Sequence, residues 1–497
     1  VELSLNALVE QLDDLFFARA TRAWRVASGV QPDAPEVPEL PQVARLDAWQ
    51  HASEVLGSPR VDDAKRTRVT LLRRHLARAF VEARLAPALA ARAAFEAGHT
   101  FFAAAKTWTP REATRALPRL AARVERDALE QELSLQQLAA SAPVQRGLDE
   151  ALAGVAALQL TPETFVGELH GRPLAERLAA ARRLLQETAD ASNDLLAFAL
   201  KRVDPALTPR TARLHDVRRA ALAPWLFEWF RREDLSHAVS RTLGDLGFNP
   251  SADGRVTVDT EPRPGRDPRA LCVELRVPDQ VRLLLTAEPG LEAWGGWLQA
   301  WGVALHRAHV GRALPFVERR LGDRAVVEAI GRLFESLLLE EGWLKRYARL
   351  TATQAKEAAR LFAWRQLLAQ REAAARALYS AEVLGRGAFG GLRDEYVPRL
   401  SAALGVEVPA GAAAFDVDPF GDDARALDAW ALADGLRGAL LERFNEDYYR
   451  NPATGRWLTA MAAVGQRDDA VAVAKGLGLG ALDAGQAARR RVQVMGA

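Results

Sequence analysis

The spacing of apolar residues changes period along this chain. From Val1 to about Val203 they recur three and four apart, the spacing of amphipathic helices. Leu3–Ala27 reads as a first helix, and the Pro-rich stretch from Gln31 to Pro41 breaks it. Ala44–Leu56 and Val61–Glu96 follow. Thr109-Pro110 and Thr161-Pro162 each pair an N-cap residue with a proline suited to the first helical position. Pro173–Val203 reads as one long helix, Ala and Leu on one stripe and Arg, Glu and Asp on the other. Strand signals are nearly absent here, and no repeat of fixed period is present.

Thr208–Leu246 keeps the helical spacing and is rich in aromatics, as in APWLFEWFRRE. The period then drops to two. Arg255–Thr260 (RVTVDT) and Ala270–Val277 (ALCVELRV) alternate, Pro278-Asp279-Gln280 forms a turn, and Val281–Thr286 (VRLLLT) is a third strand. These predict one small antiparallel sheet. After Pro289-Gly290 the helical period returns, over Leu291–Val310, Arg324–Glu341, Ala352–Leu384, Tyr396–Leu404, Ala424–Asn445 and Thr454–Val464. The expected fold is mainly α, with the sheet just before the helix that starts at Leu291.

Length and composition narrow the function classes. A chain of 497 residues, 49% hydrophobic and 26% charged, is long enough for two cores and has the make-up of a soluble globular protein. Lys+Arg 66 against Asp+Glu 64 leaves +2, which provides no electrostatic footprint for nucleic acid or an anionic membrane. No apolar run approaches the roughly 18–20 residues of a membrane span, and no secretory leader pattern is present. Cys272 is the only cysteine, so no intrachain disulfide forms; it reads as a small core residue, and a cytoplasmic setting fits. The run Arg489-Arg490-Arg491 reads as a frayed helix end, with contact to an acidic partner as the alternative.

Five segments in order carry a resemblance. Asp259, Arg263, Gly265 and Arg266 lie in DTEPRPGRDPRALCVELRVPDQVRLLLT. Leu298, Gly302, Ala304, Leu305, His306 and His309 lie in LQAWGVALHRAH. LGDRAVVEAIGRLFESLL, LFAWRQLLAQREAAARALYSAEVL and DDARALDAWALADGLRGALLERFNEDYYRNPATGRWLTAMAAVGQ follow. The series resembles the catalytic lobe of the thimet oligopeptidase family of zinc peptidases, which includes neurolysin and oligoendopeptidase F and whose zinc helix reads LHEAGHALHxAH. It is traceable over about residues 255–485; earlier residues match only in being helical. The resemblance implies a two-lobed helical, zincin-like fold with a deep cleft. Its N-terminal lobe would be 1–205 and its peptidase-like lobe 206–497. The latter would hold the sheet at about 255–287, the former zinc helix at 291–310, the helix of the third ligand at 324–341 and C-terminal helices at 352–485.

The same resemblance shows what is missing. The family's two zinc-binding His fall at Gln299 and Val303, and its general-base Glu falls at Ala300. Glu328, 25 residues after Val303, stands where the third ligand is expected. A catalytic zinc takes three protein ligands and a water, and one carboxylate does not supply them. Ala426 replaces a Tyr that donates to the oxyanion, and Asp422 stands where a second Tyr is expected. Losing one such donor costs about 2.7–4 kcal/mol. No zinc or other cofactor is expected.

The remaining candidates each have a plain reading. Glu328 and Glu335, with Arg332 between them, form a solvated or cleft-lining stripe, or keep a role in a substrate cleft. His306 and His309 are structural, or join Glu328 in a relocated metal site. Trp294, Trp297 and Trp301 are core, or floor a peptide or small-ligand site. The other six His (His51, His75, His99, His170, His215, His237) form no cluster. GLGLGALDAG (Gly476–Gly485) and GRGAFGG (Gly385–Gly391) lack the strand or Lys-Ser/Thr context of nucleotide loops. The expected cleft lining is therefore Gln299, Trp301, Val303, His306, Glu328, Glu335 and Asp422. The expected function is that of a zinc-free, catalytically inactive homologue of oligopeptidases that binds a peptide or protein partner in the cleft between lobes. The alternatives are an active hydrolase with a relocated metal and a structural scaffold with a filled cleft. Oligomeric state stays open.

Overall fold

The computed structural model describes residues 4–37, 40–249 and 253–496. It is mainly helical. Helix starts follow local chemistry. The Thr109 hydroxyl accepts the Glu112 N–H, and the Glu112 carboxylate accepts the Thr109 N–H at 2.9 Å, so Pro110–Ala116 begins on a capping box. Thr161 and Thr164 start Pro162–His170 in the same way.

Two expected helices are broken. Pro173–Val203 is two helices, Leu174–Glu187 and Ala189–Val203. At the break, buried Thr188 donates its hydroxyl to the Leu184 carbonyl at 2.7 Å, and Arg371 takes the Leu185 carbonyl at 2.7 Å and the Thr188 hydroxyl at 2.8 Å. A distant buried guanidinium thus satisfies carbonyls that a continuous helix would have used. Thr208–Leu246 is also interrupted, into Leu214–Leu222 and Arg232–Asp245. Ala223 is left-handed at φ 49° and Pro224 follows, so the aromatic stretch forms a short 3-10 turn and a loop.

The first half also contains a hairpin that sequence reading misses, β1 (Phe101–Ala103) with β2 (Lys106–Trp108), antiparallel, Phe101 opposite Trp108. Strands of three residues are too short to show a period. The turn residues Ala104 and Ala105 both have positive φ, 49° and 58°, where Asn-Gly is the usual choice. Tertiary packing holds the turn: Phe101, Ala103 and Trp108 join one apolar cluster with Ala113, Leu129 and Leu133, and the Trp108 indole donates to the Ala103 carbonyl at 2.9 Å.

The three predicted strands form β3 (Val256–Asp259), β4 (Leu271–Arg276) and β5 (Gln280–Leu284), in the order β3-β5-β4. β4 and β5 are antiparallel, but β3 runs parallel to β5, which corrects the all-antiparallel expectation. The chain leaves β3, crosses to the far edge as β4, and turns back into the centre as β5. Arg266, in the connection, fastens this arrangement. It donates to the Asp259 carboxylate at 2.9 Å, to the Asp259 and Leu285 carbonyls at 2.6 and 3.0 Å, and to the Thr286 hydroxyl at 3.2 Å. Partial burial works against the charge on Asp259. Arg266 and Arg263 outweigh it and hold the carboxyl below its usual range.

The chain divides into two compact units, each built from three segments: 1–76, 226–359 and 428–482 in the first; 77–225, 360–427 and 483–497 in the second. In the first, Val281, Leu283, Leu284 and Leu285 are fully buried, as is the inner side of the central helix Leu291–Ala308. In the second, the expected frayed basic end is instead embedded. Arg491 is fully buried, donating to the Gln366 side chain at 3.2 Å and the Ala487 carbonyl at 2.8 Å, and Arg489 pairs with Glu187. Among the described residues, no helix is long and apolar enough to cross a membrane.

Each non-glycine residue held left-handed costs roughly 1–2 kcal/mol. Replacing Ala104→Asn together with Ala105→Gly is therefore expected to raise stability in urea denaturation by about 1–2 kcal/mol.

Candidate functional site

The central helix starts at Gly290, whose φ of 100° and lack of a side chain are both needed: a Cβ there would lie 2.6 Å from the Phe227 ring. Most of the helix is buried. Trp294 packs edge-on to Phe230, ring centroids 5.2 Å apart, and the Trp297 indole donates to the Thr286 carbonyl at 2.9 Å. Trp301 is 7% exposed and belongs to this buried side. Glu292, Gly296, Gln299 and Val303, at helical spacing, form the stripe that stays accessible.

That stripe meets the helix Arg324–Glu335 at a crossing made by two glycines. A Cβ on Gly302 would lie 2.7 Å from the Ile330 carbonyl oxygen and 3.0 Å from the Gly331 Cα. A Cβ on Gly331 would lie 2.9 Å from Val303 Cγ2 and 3.1 Å from Gln299 Cγ. The Gln299 and Val303 side chains therefore lie over Gly331. Glu328, Arg332 and Glu335 make the partly accessible stripe of the second helix. Arg332 pairs with Glu335 at 2.8 Å and stacks over the Trp430 ring at 4.2 Å. Gln299, Val303, Glu328 and Glu335 thus belong to two helix stripes that meet at this crossing in the first unit.

Asp422 and Ala426 belong to the second unit. Asp422 accepts a two-pronged contact from Arg78, at 2.8 and 3.2 Å, and a third from Arg425 at 3.3 Å. Burial opposes its charge, but Arg78 prevails and holds the carboxyl far below its usual range. Its side chain is committed to this ion pair.

The donor set does not fit zinc. Gln299 offers at most a neutral oxygen, Val303 offers no donor atom, and Glu328 is one carboxylate. Nor do His306, His309 and Glu328 come together as a relocated site: among the described residues, no three His, Cys, Asp or Glu form a group able to hold a metal. His309 commits Nδ1 to the Leu305 carbonyl at 2.8 Å and tilts against Phe248, centroids 5.5 Å apart. His306 is 2% exposed, and neither ring nitrogen has a hydrogen-bond partner. Burial, aided by the Arg307 guanidinium, pushes its pKa down to about 3, so it is neutral.

Sequence reading passed over Arg307, which sits in a buried ionic network. It pairs with Glu274 of β4 at 2.9 Å and donates to the Gln466 side chain at 2.7 Å and the Arg319 carbonyl at 3.1 Å. Gln466 closes the GQ segment noted in the sequence and is fully buried. A Gln in an apolar context was the only signal available.

The sequence matches no protein-family model and no curated protein. Solved structures do match. An M32 carboxypeptidase from Deinococcus radiodurans R1 is 15% identical over 99% of both chains, TM-score 0.60. A structure assigned as oligoendopeptidase F is 11% identical over 100% of this chain and 93% of its own, TM-score 0.65. Trypanosoma cruzi metallocarboxypeptidase 1 is 12% identical over 98% of both, TM-score 0.58. At such identities the likeness is one of fold. The chain has the mainly helical, zincin-like fold of these peptidases along its whole length, including the N-terminal half that the sequence resemblance did not reach.

Two outcomes follow. Gly302→Ala forces a methyl group against backbone and is expected to lower stability by about 1–3 kcal/mol in chemical denaturation. His306 is neutral when folded and takes a proton near 6.5 when unfolded. Its contribution is complete above that value and shrinks as pH falls toward 3, by at most about 1.4 kcal/mol per pH unit. Unfolding free energies at pH 7, 5.5 and 4.5 should fall more steeply for the native chain than for His306→Gln; parallel slopes would contradict the assignment.

Proposed function

We propose that this protein is a zinc-free, catalytically inactive relative of oligopeptidases that binds an extended peptide rather than cleaving it. The observation that carries the reading is the chemistry at the helix crossing. Gln299, Ala300 and Val303 replace both imidazoles and the general base, and the Gln299 and Val303 side chains pack on Gly331. No hydrolytic step can be routed through a metal that these residues do not hold. What is retained suits recognition. Among the described residues, β3 is an edge strand of the three-stranded sheet, with Val258 exposed. An edge of this kind pairs with an extended peptide backbone through main-chain hydrogen bonds. The accessible face of Glu328, Arg332 and Glu335 supplies charged groups for peptide side chains. A cytoplasmic peptide or protein segment is the proposed ligand.

The test joins metal analysis to a peptide panel. Protein purified without chelator is expected to carry well under one zinc per chain, to leave fluorogenic peptides intact, and to bind some of them saturably. About one zinc per chain with cleavage that chelation abolishes would overturn the reading. The variant Gln299→His/Ala300→Glu/Val303→His tests the frame itself: with Glu328 in the third-ligand position, it is expected to bind zinc where the native chain does not.

A further inference from the structure

The central helix borders a cavity on the side away from the Gln299–Val303 stripe. Its volume is about 570 Å3, within the range of small-molecule sites. Phe248, Val256, Leu305 and Ala308 give it apolar walls, and the helix Pro452–Ala462 supplies Thr459 and Arg456. A second, narrow cavity of about 10 Å3 shares Phe248, Leu305, His309 and Thr459 with the first and is bordered by His306. Its size suits a single polar atom.

The polar groups lie at two poles. At one, Arg456 is exposed and has no carboxylate partner among the described residues. The nearby Asp253 is already engaged by Arg255 at 3.3 Å, so the local excess charge is positive. At the other, His306 is almost wholly buried with both ring nitrogens unpartnered. An unmet buried polar group costs about 1–3 kcal/mol, and a core helix that merely needed filling would carry Leu or Phe. His309 donates through Nδ1 to the Leu305 carbonyl and lines the larger cavity. Arg456 precedes Thr459 by one helical turn, and Thr459 borders both cavities, which places the two poles on neighbouring walls.

We infer that this cavity is a binding site for a small hydroxy carboxylic acid with an apolar, ring-sized body. Its carboxylate pairs with Arg456, its body lies against Phe248, Val256 and Leu305, and its hydroxyl enters the narrow end at His306 and His309. The hydroxyl can both donate to and accept from imidazole nitrogens, which suits the uncharged His306 ring. This site is independent of the peptide reading above and does not involve Glu328 or Glu335.

The test uses the full chain and 4-hydroxyphenylacetate as probe. Calorimetry is expected to show saturable binding, and 15N spectra of labelled histidine should show the His306 and His309 ring signals shifting with occupancy. Arg456→Gln should weaken the acid by about tenfold or more, the scale of one hydrogen bond to a charged group. Ala460→Trp, which fills the cavity from an exposed helix position, should abolish binding while the melting curve stays native. Phenylacetate, lacking the hydroxyl, should bind more weakly than the probe. Absence of saturable binding, unmoved histidine signals at saturation, indifference to Arg456→Gln, or equal binding of 4-hydroxybenzyl alcohol would each overturn the assignment.

Discussion

Two helices in the first unit touch backbone to backbone where Gly302 meets Ile330 and Gly331, and much else in that unit depends on this contact. Helices pack this closely only where side chains are absent. Once they do, whatever stands at 299 and 303 lies over residue 331. In a metal enzyme that geometry aims two imidazoles at a shared ion. Here it aims an amide and an isopropyl group, and the space is taken by carbon. The crossing thus depends on the two glycines and not on the chemistry of the side chains that lie over it.

Polar groups buried around the central helix divide into two kinds. Arg307 is ion-paired with Glu274 and donates to Gln466 and the Arg319 carbonyl, and ties the helix to β4 and to the segment around 466. Arg266 does the same for β3 and β5. Such charges are costly to bury without a partner, and each of these two is paired with a carboxylate, Arg307 with Glu274 and Arg266 with Asp259. His306 stands one residue from Arg307 and is unmatched. That contrast within one turn of helix is why His306 reads as ligand-facing, whereas the identical residue type at His309 is half committed.

The helices at 5–27 and 291–308, the β4–β5 hairpin and the proline-led helix starts were legible in the sequence because each depends on its own residues and on period. The gap at Thr188 was not, since it depends on Arg371, distant in the chain, taking carbonyls from the helix end. The β1–β2 hairpin was hidden for a related reason: its Ala-Ala turn contradicts local preference and is held by the cluster around Leu129. The direction of β3 was hidden because alternation states that a strand exists, not which neighbour it pairs with. Among candidate site residues, the shared helix face of Gln299 and Val303 was legible from their spacing. The arrangement of His306 could not, because exposure and partners are properties of packing.

By itself, the sequence determined that this chain is mainly helical with one small sheet, and that positions 299, 300 and 303 of its central helix carry Gln, Ala and Val, with no imidazole or carboxylate among them. Those are matters of residue type and spacing, and no fold can supply a donor atom that a side chain lacks. Only the tertiary structure decided what surrounds those positions: a glycine crossing covered by Gln299 and Val303, carboxylates drawn into ion pairs, and a buried imidazole facing a cavity. Those outcomes depend on which surfaces exclude water together, and burial is settled between segments far apart in the chain.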